Sequence, residues 1–264
     1  MPELPEVECI VGSLRPWLEG SRIAAVDIRS RLAAGSEPAS LRRFLAGRRI
    51  ASVRRRGKFI LFVLDPGFCA IHLRMTGRLL WNGATGPYTR AVFELDRGRL
   101  LLDDIRQFAR IYAGPDLPEP VAGLGPEPFE LTAAEFRQRL LARRGCIKPL
   151  LLDQRFLAGL GNIYVDEALH RARIHPLQPA ATLTARRAGR LHEAIVEVLG
   201  EAIAAGGSSI SDYVDGMGAP GGFQRLHRVY GREGGPCPRC GAAVRRIAVA
   251  QRGTHFCPRC QRLQ

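Results

Sequence analysis

The sequence contains almost no lysine. Only Lys58 and Lys148 are present, so arginine supplies the other 37 of the 39 basic residues. A GC-rich coding bias explains such a replacement. A lysine that survives it is a candidate for a task that needs a compact ammonium able to exchange a proton. We therefore treat both lysines as candidate functional residues.

Long apolar runs are also missing. No stretch approaches the roughly 18–20 residues that span a bilayer, and the acidic, proline-rich start does not resemble a secretory signal. We therefore predict a cytoplasmic protein that does not associate with membranes. Three scattered cysteines, Cys9, Cys69 and Cys146, suit a reducing compartment and are expected to be small buried side chains.

Positive charge dominates what is present. The formal net charge is +14 and the sequence pI is about 10.5. A soluble protein this basic usually binds a polyanion, because each neutralised phosphate releases condensed counterions. A generally basic, solvated surface is the alternative interpretation. Aromatic residues make up only 7% of the chain, and the lack of a stacking stripe argues against an RNA-binding protein.

The first hundred residues change from a helical to a strand pattern. Apolar residues from Val7 to Leu18 recur at helical spacing behind Pro2–Glu6. Proline and acidic residues suit a first helical turn, and Gly20 ends the helix. Beyond it we predict a short helix at Leu41–Leu45 and a sandwich or barrel of short strands. The predicted strands are Ile23–Ile28, Arg49–Arg54, Phe59–Leu64, Ala70–Leu73, Arg78–Trp81, Ala91–Leu95 and Leu100–Asp103.

The second half is predicted to be helical. A proline- and glycine-rich stretch from Gly114 to Pro128 marks a boundary. Thr132 and Glu135 form a capping-box pattern, and further helices are predicted at 162–171 and 185–205. The Gly- and Ser-rich residues after them suit a functional loop. The predicted segments are a domain at 1–114, a linker at 115–130, a helical domain at 131–235 with a loop at about 208–230, and a cysteine module at 236–264.

Two Cys-Pro-Arg-Cys knuckles lie near the C-terminus, separated by sixteen residues. Four thiolates in two knuckles match a tetrahedral structural zinc site, whereas a redox dithiol does not need the duplicate. Between the knuckles we predict a hairpin, 244–250 and 254–257, with Gln251, Arg252 and Gly253 at its tip. His255 is not expected to bind the metal. The predicted ligands are Cys237, Cys240, Cys257 and Cys260.

Several motifs together carry a family resemblance. Met1–Glu8 reads MPELPEVE, and the chain then contains Gly57-Lys58, His72-Leu-Arg-Met-Thr-Gly77, Ala158–Glu167 (AGLGNIYVDE) and the cysteine hairpin. In this order and over the full length, they resemble the formamidopyrimidine-DNA glycosylase and endonuclease VIII family of bacteria. The resemblance implies an α+β multidomain fold: an N-terminal helix with a β-sandwich, a helix–two-turn–helix domain, and a zinc-finger β-hairpin with one structural Zn²⁺.

The resemblance also implies a catalytic set. Once Met1 is removed, the free amine of Pro2 attacks the sugar C1′ and expels a damaged base, and β- and δ-elimination then cut the strand. An α-amine is a better nucleophile at neutral pH than an ordinary lysine, since its pKa is about 8 rather than about 10. Glu3 is the acid and base for the protons of the sugar ring and the leaving group, and Glu6 is a positioning residue beside it. Lys58 transfers a proton in β-elimination and contacts a phosphate. Arg252 binds a phosphate and takes part in δ-elimination.

The same resemblance implies a DNA-binding set. Met75, Arg106 and Phe108 fill the hole that a flipped base leaves. Asn162 opens a helix where a phosphate binds. The segment Asp104–Ala109 (DIRQFA) departs from the usual family motif, and the loop at 86–90 has Tyr88 where many relatives have histidine. The further DNA contacts implied are Tyr88, Arg144 and Lys148.

The implied partner is double-stranded DNA with oxidised or abasic sites, bound by a monomer associated with the bacterial nucleoid. Leu4 and the long 208–230 segment, which suits a lid over the flipped base, favour oxidised purines. An endonuclease VIII-like enzyme for oxidised pyrimidines is one alternative. The other is a non-catalytic zinc-ribbon DNA-binding protein, which would not need Pro2 or Glu3.

Overall fold

The computed structural model describes residues 1–264. The chain forms two compact units that do not follow its linear order. The first contains Met1–Gly123 and Ile203–Gln224, and the second contains Leu124–Ala202 and Arg225–Gln264. Residues 203–224, which the sequence analysis placed with the helical domain, thus pack with the N-terminal unit. The reason is that the backbone N–H groups of Ser208 and Gly216 donate to the side chains of Glu6 and Ser13 in that unit.

The first unit is a helix on a β-sandwich, which confirms the predicted fold class. Helix α1 (Leu4–Leu18) precedes two four-stranded antiparallel sheets, with strand orders β1-β6-β7-β5 and β2-β3-β4-β8. Short helices α2 (Pro38–Leu45) and α3 (Glu119–Ala122) complete the unit. The strands are β1 Ile23–Ile28, β2 Arg49–Arg56, β3 Phe59–Asp65, β4 Gly67–His72, β5 Gly77–Trp81, β6 Thr89–Leu95, β7 Gly98–Asp104 and β8 Arg110–Gly114.

The core of this unit lies where the apolar face of α1 meets the inner faces of the strands. Val7, Ile10 and Leu14 are at most 1% exposed, as their helical spacing predicts. Strand β8 was not predicted separately. It offers only Ile111 as a fully buried apolar side chain, and pairing with β4 rather than its own pattern makes it a strand.

The second unit contains the remaining helices, α4 (Ala133–Leu141), α5 (Ile147–Leu152), α6 (Asn162–Ala172) and most of α7 (Ala185–Ala204). The predicted capping box of Thr132 and Glu135 begins α4. Helix α5 was not predicted, because six residues with an internal proline give no helical period. No helix of the protein has the length and apolar character needed to cross a membrane.

The C-terminal hairpin has strands β9 (Arg245–Val249) and β10 (Arg252–Phe256). Its turn is Ala250-Gln251, and both residues have left-handed φ angles of 48° and 60°. The common two-residue hairpin turn with this twist requires positive φ at both positions. The prediction that Arg252 and Gly253 form the tip is therefore wrong by one to two residues. Arg252 is the first residue of β10 and pairs with Val249.

Candidate active site and nucleic-acid interface

The start of α1 is buried and held by one carboxylate. Pro2 is buried, and Glu3 and Glu6 are only 3% and 1% exposed. Glu6 Oε2 accepts a hydrogen bond from the backbone N–H of Glu3 at 2.8 Å, and Glu6 Oε1 accepts one from the backbone N–H of Ser208 at 2.7 Å. Glu6 therefore joins the segment that carries Pro2 and Glu3 to the segment after α7.

The segment after α7 folds back on itself beside α1. Gly207 has φ +81°, and a Cβ on it would lie 3.0 Å from Glu6 Cγ and Oε1. Its carbonyl accepts a hydrogen bond from Phe223, while the Ser209 hydroxyl accepts one from Gly221 at 2.9 Å. Glycine at 207 thus allows the close approach that the two Glu6 hydrogen bonds need.

The middle of this segment is attached to the first unit by the backbone of Gly216. Its N–H donates to Ser13 Oγ at 2.9 Å, and its carbonyl accepts from the Trp81 N–H at 2.9 Å. Ile210 and Met217 are about half exposed. The lid predicted at 208–230 is therefore anchored on α1 and β5 up to Gln224, and residues 225–230 belong to the second unit.

Lys58 lies in the turn between β2 and β3 and is only 6% exposed. Nearby His72 is also buried, and its Nδ1 accepts a hydrogen bond from the Arg74 N–H. Burial, with the positive charges of Arg74 and Lys58, lowers the pKa of His72 to about 3. His72 is therefore neutral at pH 7.

Met75, Arg106 and Phe108 lie on two exposed loops that Asp104 connects. The Asp104 carboxylate accepts hydrogen bonds from the Thr76 hydroxyl and from the N–H groups of Arg106 and Ala109. The Arg106 guanidinium lies 4.7 Å from the centroid of the Phe108 ring. Met75 and Phe108 are 40% and 43% exposed, so an apolar wedge and a cation share this surface.

Tyr88 belongs to the same region. Its carbonyl accepts a hydrogen bond from the Asp104 N–H, and its half-exposed ring lies 5.9 Å from the Arg90 guanidinium carbon. Within the Asp104–Ala109 loop, Gln107 adopts φ +58° and its Oε1 accepts a hydrogen bond from the Ser30 hydroxyl. Asp104 and Ser30 thus hold the divergent Asp104–Ala109 loop.

The isolated thiols of this unit are poor nucleophiles. Burial raises the pKa of Cys9 to about 11 and that of Cys69 to about 12. Both remain protonated at neutral pH, and a thiol attacks only as its thiolate. Neither thiol is therefore a candidate nucleophile at neutral pH.

Lys148, in the second unit, is fully buried. Its Nζ lies 2.6 Å from Asp166 Oδ1 and 3.4 Å from the Gly253 carbonyl, and both side chains of the ion pair have zero exposure. The other Asp166 oxygen accepts a hydrogen bond from the His255 N–H at 2.8 Å. The ammonium therefore has no exposed surface for a direct phosphate contact. Lys148 instead supports the hairpin that carries Arg252.

Asn162 contacts the same hairpin residue. It is the first residue of α6, and its Nδ2 donates to the Gly253 carbonyl at 2.9 Å, whereas its Oδ1 is buried without a hydrogen-bond partner. Arg144 and Arg252 are exposed. The structure thus groups Lys148 and Asn162 on Gly253, directly beside Arg252, and places Arg144 in the connection between α4 and α5.

The four predicted zinc ligands form one cluster. The Sγ atoms of Cys237, Cys240, Cys257 and Cys260 all lie within 4.8 Å of one another. A zinc tetrahedron with Zn–S bonds of about 2.3 Å has S···S edges of about 3.8 Å. The cysteine donors and their spacing therefore fit one structural Zn²⁺.

Comparison with known proteins covers nearly the whole chain. Family models match residues 1–111 as the formamidopyrimidine-DNA glycosylase N-terminal domain, residues 124–214 as its H2TH domain, and residues 234–263 as a zinc finger found in FPG and IleRS. The chain belongs to the formamidopyrimidine-DNA glycosylase family. The expected family, fold class and structural zinc are thereby confirmed.

Relatives of this glycosylase agree over their full length. The formamidopyrimidine-DNA glycosylase of Solibacter usitatus is 52% identical over 264 residues, which covers 99% of this chain and 100% of that protein. The MutM (FPG) protein of Thermus thermophilus has a crystal structure with a TM-score of 0.90 at 44% identity, with both chains fully covered. Lactococcus lactis Fpg in complex with abasic-site DNA gives a TM-score of 0.89 at 35% identity over 98% of this chain and 99% of that one.

Three acidic residues of this glycosylase lie within its sequence motifs, but the sequence analysis assigned them no role. Asp104 accepts hydrogen bonds from Thr76 and Arg106, and Asp166 pairs with Lys148 and accepts the His255 N–H. Glu167, which is 2% exposed, accepts hydrogen bonds from the backbone N–H groups of residues 228, 229 and 230. Asp166 lies four residues after Asn162, on the same face of α6. That i, i+4 spacing of polar side chains is the signal that could have identified it.

Proposed function

We propose that this DNA glycosylase of base excision repair removes oxidised purines, namely 8-oxoguanine and formamidopyrimidines, from double-stranded DNA and then cuts the strand at the abasic site. The observation that carries the proposal is the buried start of α1. There Glu6 holds the backbone of Glu3, and with it the position of Pro2, through a 2.8 Å hydrogen bond. A nucleophile needs such a fixed position to attack one carbon of a bound sugar.

The proposed reaction begins once Met1 is removed and Pro2 carries a secondary amine. The amine nitrogen forms a bond to C1′, the bond from C1′ to the base nitrogen breaks, and the base leaves with that electron pair and a proton. The amine loses its own proton. Opening of the sugar ring, with Glu3 supplying a proton to O4′, gives an iminium between Pro2 and C1′.

Strand cleavage follows from the iminium, which acidifies the C2′ protons. Loss of a C2′ proton breaks the C3′–O bond in β-elimination, and a second elimination breaks the C5′–O bond. In this proposal Lys58 moves a proton in the first elimination, since it is a nearly buried ammonium beside neutral His72. Arg252, exposed at the start of β10, grips a phosphate and assists the second elimination.

The DNA-binding roles are divided between exposed and buried residues. Met75, Arg106 and Phe108 share one exposed surface and are proposed to fill the space of the flipped base. Tyr88 borders that surface, and Arg144 is proposed to contact a phosphate. Asn162 and Lys148 are proposed to act on DNA through Gly253 and the position of Arg252, because their side-chain nitrogens already bind its carbonyl.

The preference for oxidised purines has two supports. Structures of Lactococcus lactis Fpg variants, 35% identical to this chain, are described as complexes with Fapy-dG containing DNA. The long segment at 208–224 also lies beside the start of α1 and is linked to it by Glu6. A segment in that position is suited to cover a flipped base next to the nucleophile.

Borohydride trapping tests the nucleophile. The protein with Met1 removed is incubated with duplexes that differ only in the lesion: 8-oxoguanine, formamidopyrimidine, an oxidised pyrimidine or an abasic site. We expect a covalent adduct at Pro2, formed fastest with the oxidised purines. A form that retains Met1 is the matched control, because it has an amide at Pro2 and is expected to bind DNA without being trapped.

Three outcomes contradict parts of this proposal. No adduct on any duplex would show a non-catalytic DNA-binding protein. Faster trapping on the oxidised pyrimidine would assign the endonuclease VIII-like specificity. An adduct of equal yield with the Met1-retaining form would move the nucleophile to another residue, with Lys58 the first to be tested by mass spectrometry of the trapped peptide.

The protein is further proposed to act as a monomer on nucleoid DNA in the bacterial cytoplasm. The three cysteines outside the zinc cluster are free thiols, which suits a reducing compartment. Sedimentation of the protein with and without a lesion duplex tests the stoichiometry, and a 2:1 complex would contradict the monomer. Fluorescence microscopy of the tagged protein tests its location, and a signal away from DNA would contradict it.

A further inference from the structure

His170 lies directly against the zinc cluster without belonging to it. The residue is on α6 and has zero exposure. Its Nε2 lies 3.3 Å from the Sγ of Cys237. The four mutually close sulfurs already fill a tetrahedral shell. The ring therefore touches a zinc-binding thiolate and not the metal position.

The surroundings of the ring decide which nitrogen carries the proton of the neutral imidazole. Nδ1 is buried and has no hydrogen-bond partner. A proton there would leave a buried donor without an acceptor and would turn the Nε2 lone pair toward sulfur, which costs free energy twice. A proton on Nε2 instead points at Sγ and leaves only an unused acceptor at Nδ1.

Four thiolates around Zn²⁺ carry a net charge of −2, so a hydrogen-bond donor beside one of them is attracted by that charge. We propose that His170 is a positioning residue of the metal centre, whose Nε2–H donates a hydrogen bond to the zinc-bound thiolate of Cys237. The bond orients Sγ and favours the metal-bound thiolate over the protonated thiol, and so retards zinc release.

The same helix also holds the hairpin. Asn162, Asp166 and His170 are spaced four residues apart and lie on one face of α6. Asn162 contacts the Gly253 carbonyl, and Asp166 contacts the His255 N–H. Through His170, α6 therefore holds the first cysteine knuckle as well as the strand that begins with Arg252.

Zinc release from the full-length, zinc-loaded protein tests the proposal. Release is followed with a chromophoric chelator in excess at neutral pH. His170→Phe removes the donor and keeps an aromatic ring, and we expect about tenfold faster release, in line with the effect of losing a hydrogen bond to a metal ligand. His170→Gln keeps an N–H close to the Nε2 position and is expected to stay within about threefold of the parent. His192→Phe is the matched control, because His192, on α7, packs against Phe136 and has no thiolate contact; it is expected to release zinc at the parent rate.

Two spectra of the protein with its parent amino-acid sequence make the test independent of whether a variant folds. Long-range proton–nitrogen NMR is expected to show His170 protonated at Nε2. The cobalt-substituted protein is expected to show charge-transfer bands of four thiolates. Unchanged zinc release in His170→Phe, a proton on Nδ1, or a cobalt spectrum of three thiolates and one nitrogen would each overturn the proposal.

Discussion

Two explanations account for the lysine at position 148: it forms a buried ion pair with Asp166, or it contacts a DNA phosphate. Lys148→Met separates them. The substitution removes an ammonium that lies 2.6 Å from Asp166, where both side chains have zero exposure. Asp166 would keep the His255 N–H but lose its countercharge. Removing one partner of a buried ion pair costs about 3–5 kcal/mol, a large part of the roughly 5–15 kcal/mol that stabilises most proteins. We expect a folded variant with a clearly lower free energy of unfolding.

Urea unfolding followed by circular dichroism measures that loss, and a second variant tests its cause. Lys148→Met combined with Asp166→Asn removes both charges, while the new amide oxygen at position 166 still accepts the His255 N–H. We expect the double variant to regain more than half of the loss. Arg143→Met, an exposed neighbour, is the control and is expected to change stability by less than about 0.5 kcal/mol.

Salt dependence of DNA binding provides the refutation. A lysine that neutralises a phosphate contributes about 0.9 to the slope of log affinity against log salt. The buried ammonium makes no such contact, and Asn162 still binds the Gly253 carbonyl beside Arg252 in the double variant. The slope for an abasic-analogue duplex is therefore expected to stay unchanged. A slope lower by about one unit, or a stability loss below about 1 kcal/mol in the single variant, would refute the buried role of Lys148.

Three further predictions concern other residues. Glu6→Gln replaces one of two carboxylate oxygens that accept backbone N–H groups; it is expected to cost about 1.5–3 kcal/mol in urea unfolding and to slow borohydride trapping. His72 has a native pKa of about 3 against 6.5 unfolded, so only the unfolded state binds its proton between these values. The contribution of neutral His72 to the free energy of unfolding is therefore lost as pH falls through that window. Over this range the free energy of unfolding of the parent is expected to fall by about 1.4 kcal/mol per pH unit more than that of His72→Asn. Arg252→Ala is expected to lower the salt slope by about one unit, whereas Arg97→Ala leaves it unchanged.

Each of these has a decisive contrary result. Unchanged unfolding of Glu6→Gln, alongside an equally unchanged control at an exposed carboxylate, Glu193→Gln, would remove the link between the α1 start and Ser208. Parallel pH profiles for the parent and His72→Asn across the window between the two pKa values would place the pKa of His72 near its ordinary value. An unaltered salt slope in Arg252→Ala would take that residue off the list of phosphate contacts.

The elements that sequence alone could predict are those with a strong local pattern. The apolar period from Val7 to Leu18, the Thr132 capping box and the paired cysteine knuckles each depend on residues close in sequence. Strand β8 and helix α5 have no such pattern, because pairing and packing with distant residues make them what they are. The hairpin turn was misplaced because Gly253 suggests a turn, yet Ala250 and Gln251 adopt the left-handed conformation instead.

In the candidate site, too, local motifs identify some residues, whereas contacts between distant parts of the chain could not be predicted. Motifs identified Pro2, Lys58 and Asn162 as residues to examine, but their partners come from far along the chain. Glu6 bonds to Ser208, 202 positions away, and Asn162 bonds to Gly253, 91 positions away. No local pattern encodes such a pair. The burial of Lys148 was unpredictable for the same reason, since its countercharge Asp166 comes from another helix.

The contacts of α6 bear on how freely the zinc finger could be exchanged between proteins. Its residues satisfy a carbonyl and an N–H of the hairpin, three N–H groups of the chain leading to it, and one cysteine sulfur. A finger cut out at its sequence boundaries would take the Gly253 carbonyl from Asn162, the His255 N–H from Asp166 and the Cys237 sulfur from His170. Helices α5 and α6 and the finger therefore form one structural unit. Chimeric proteins that exchange these segments together are the ones expected to fold.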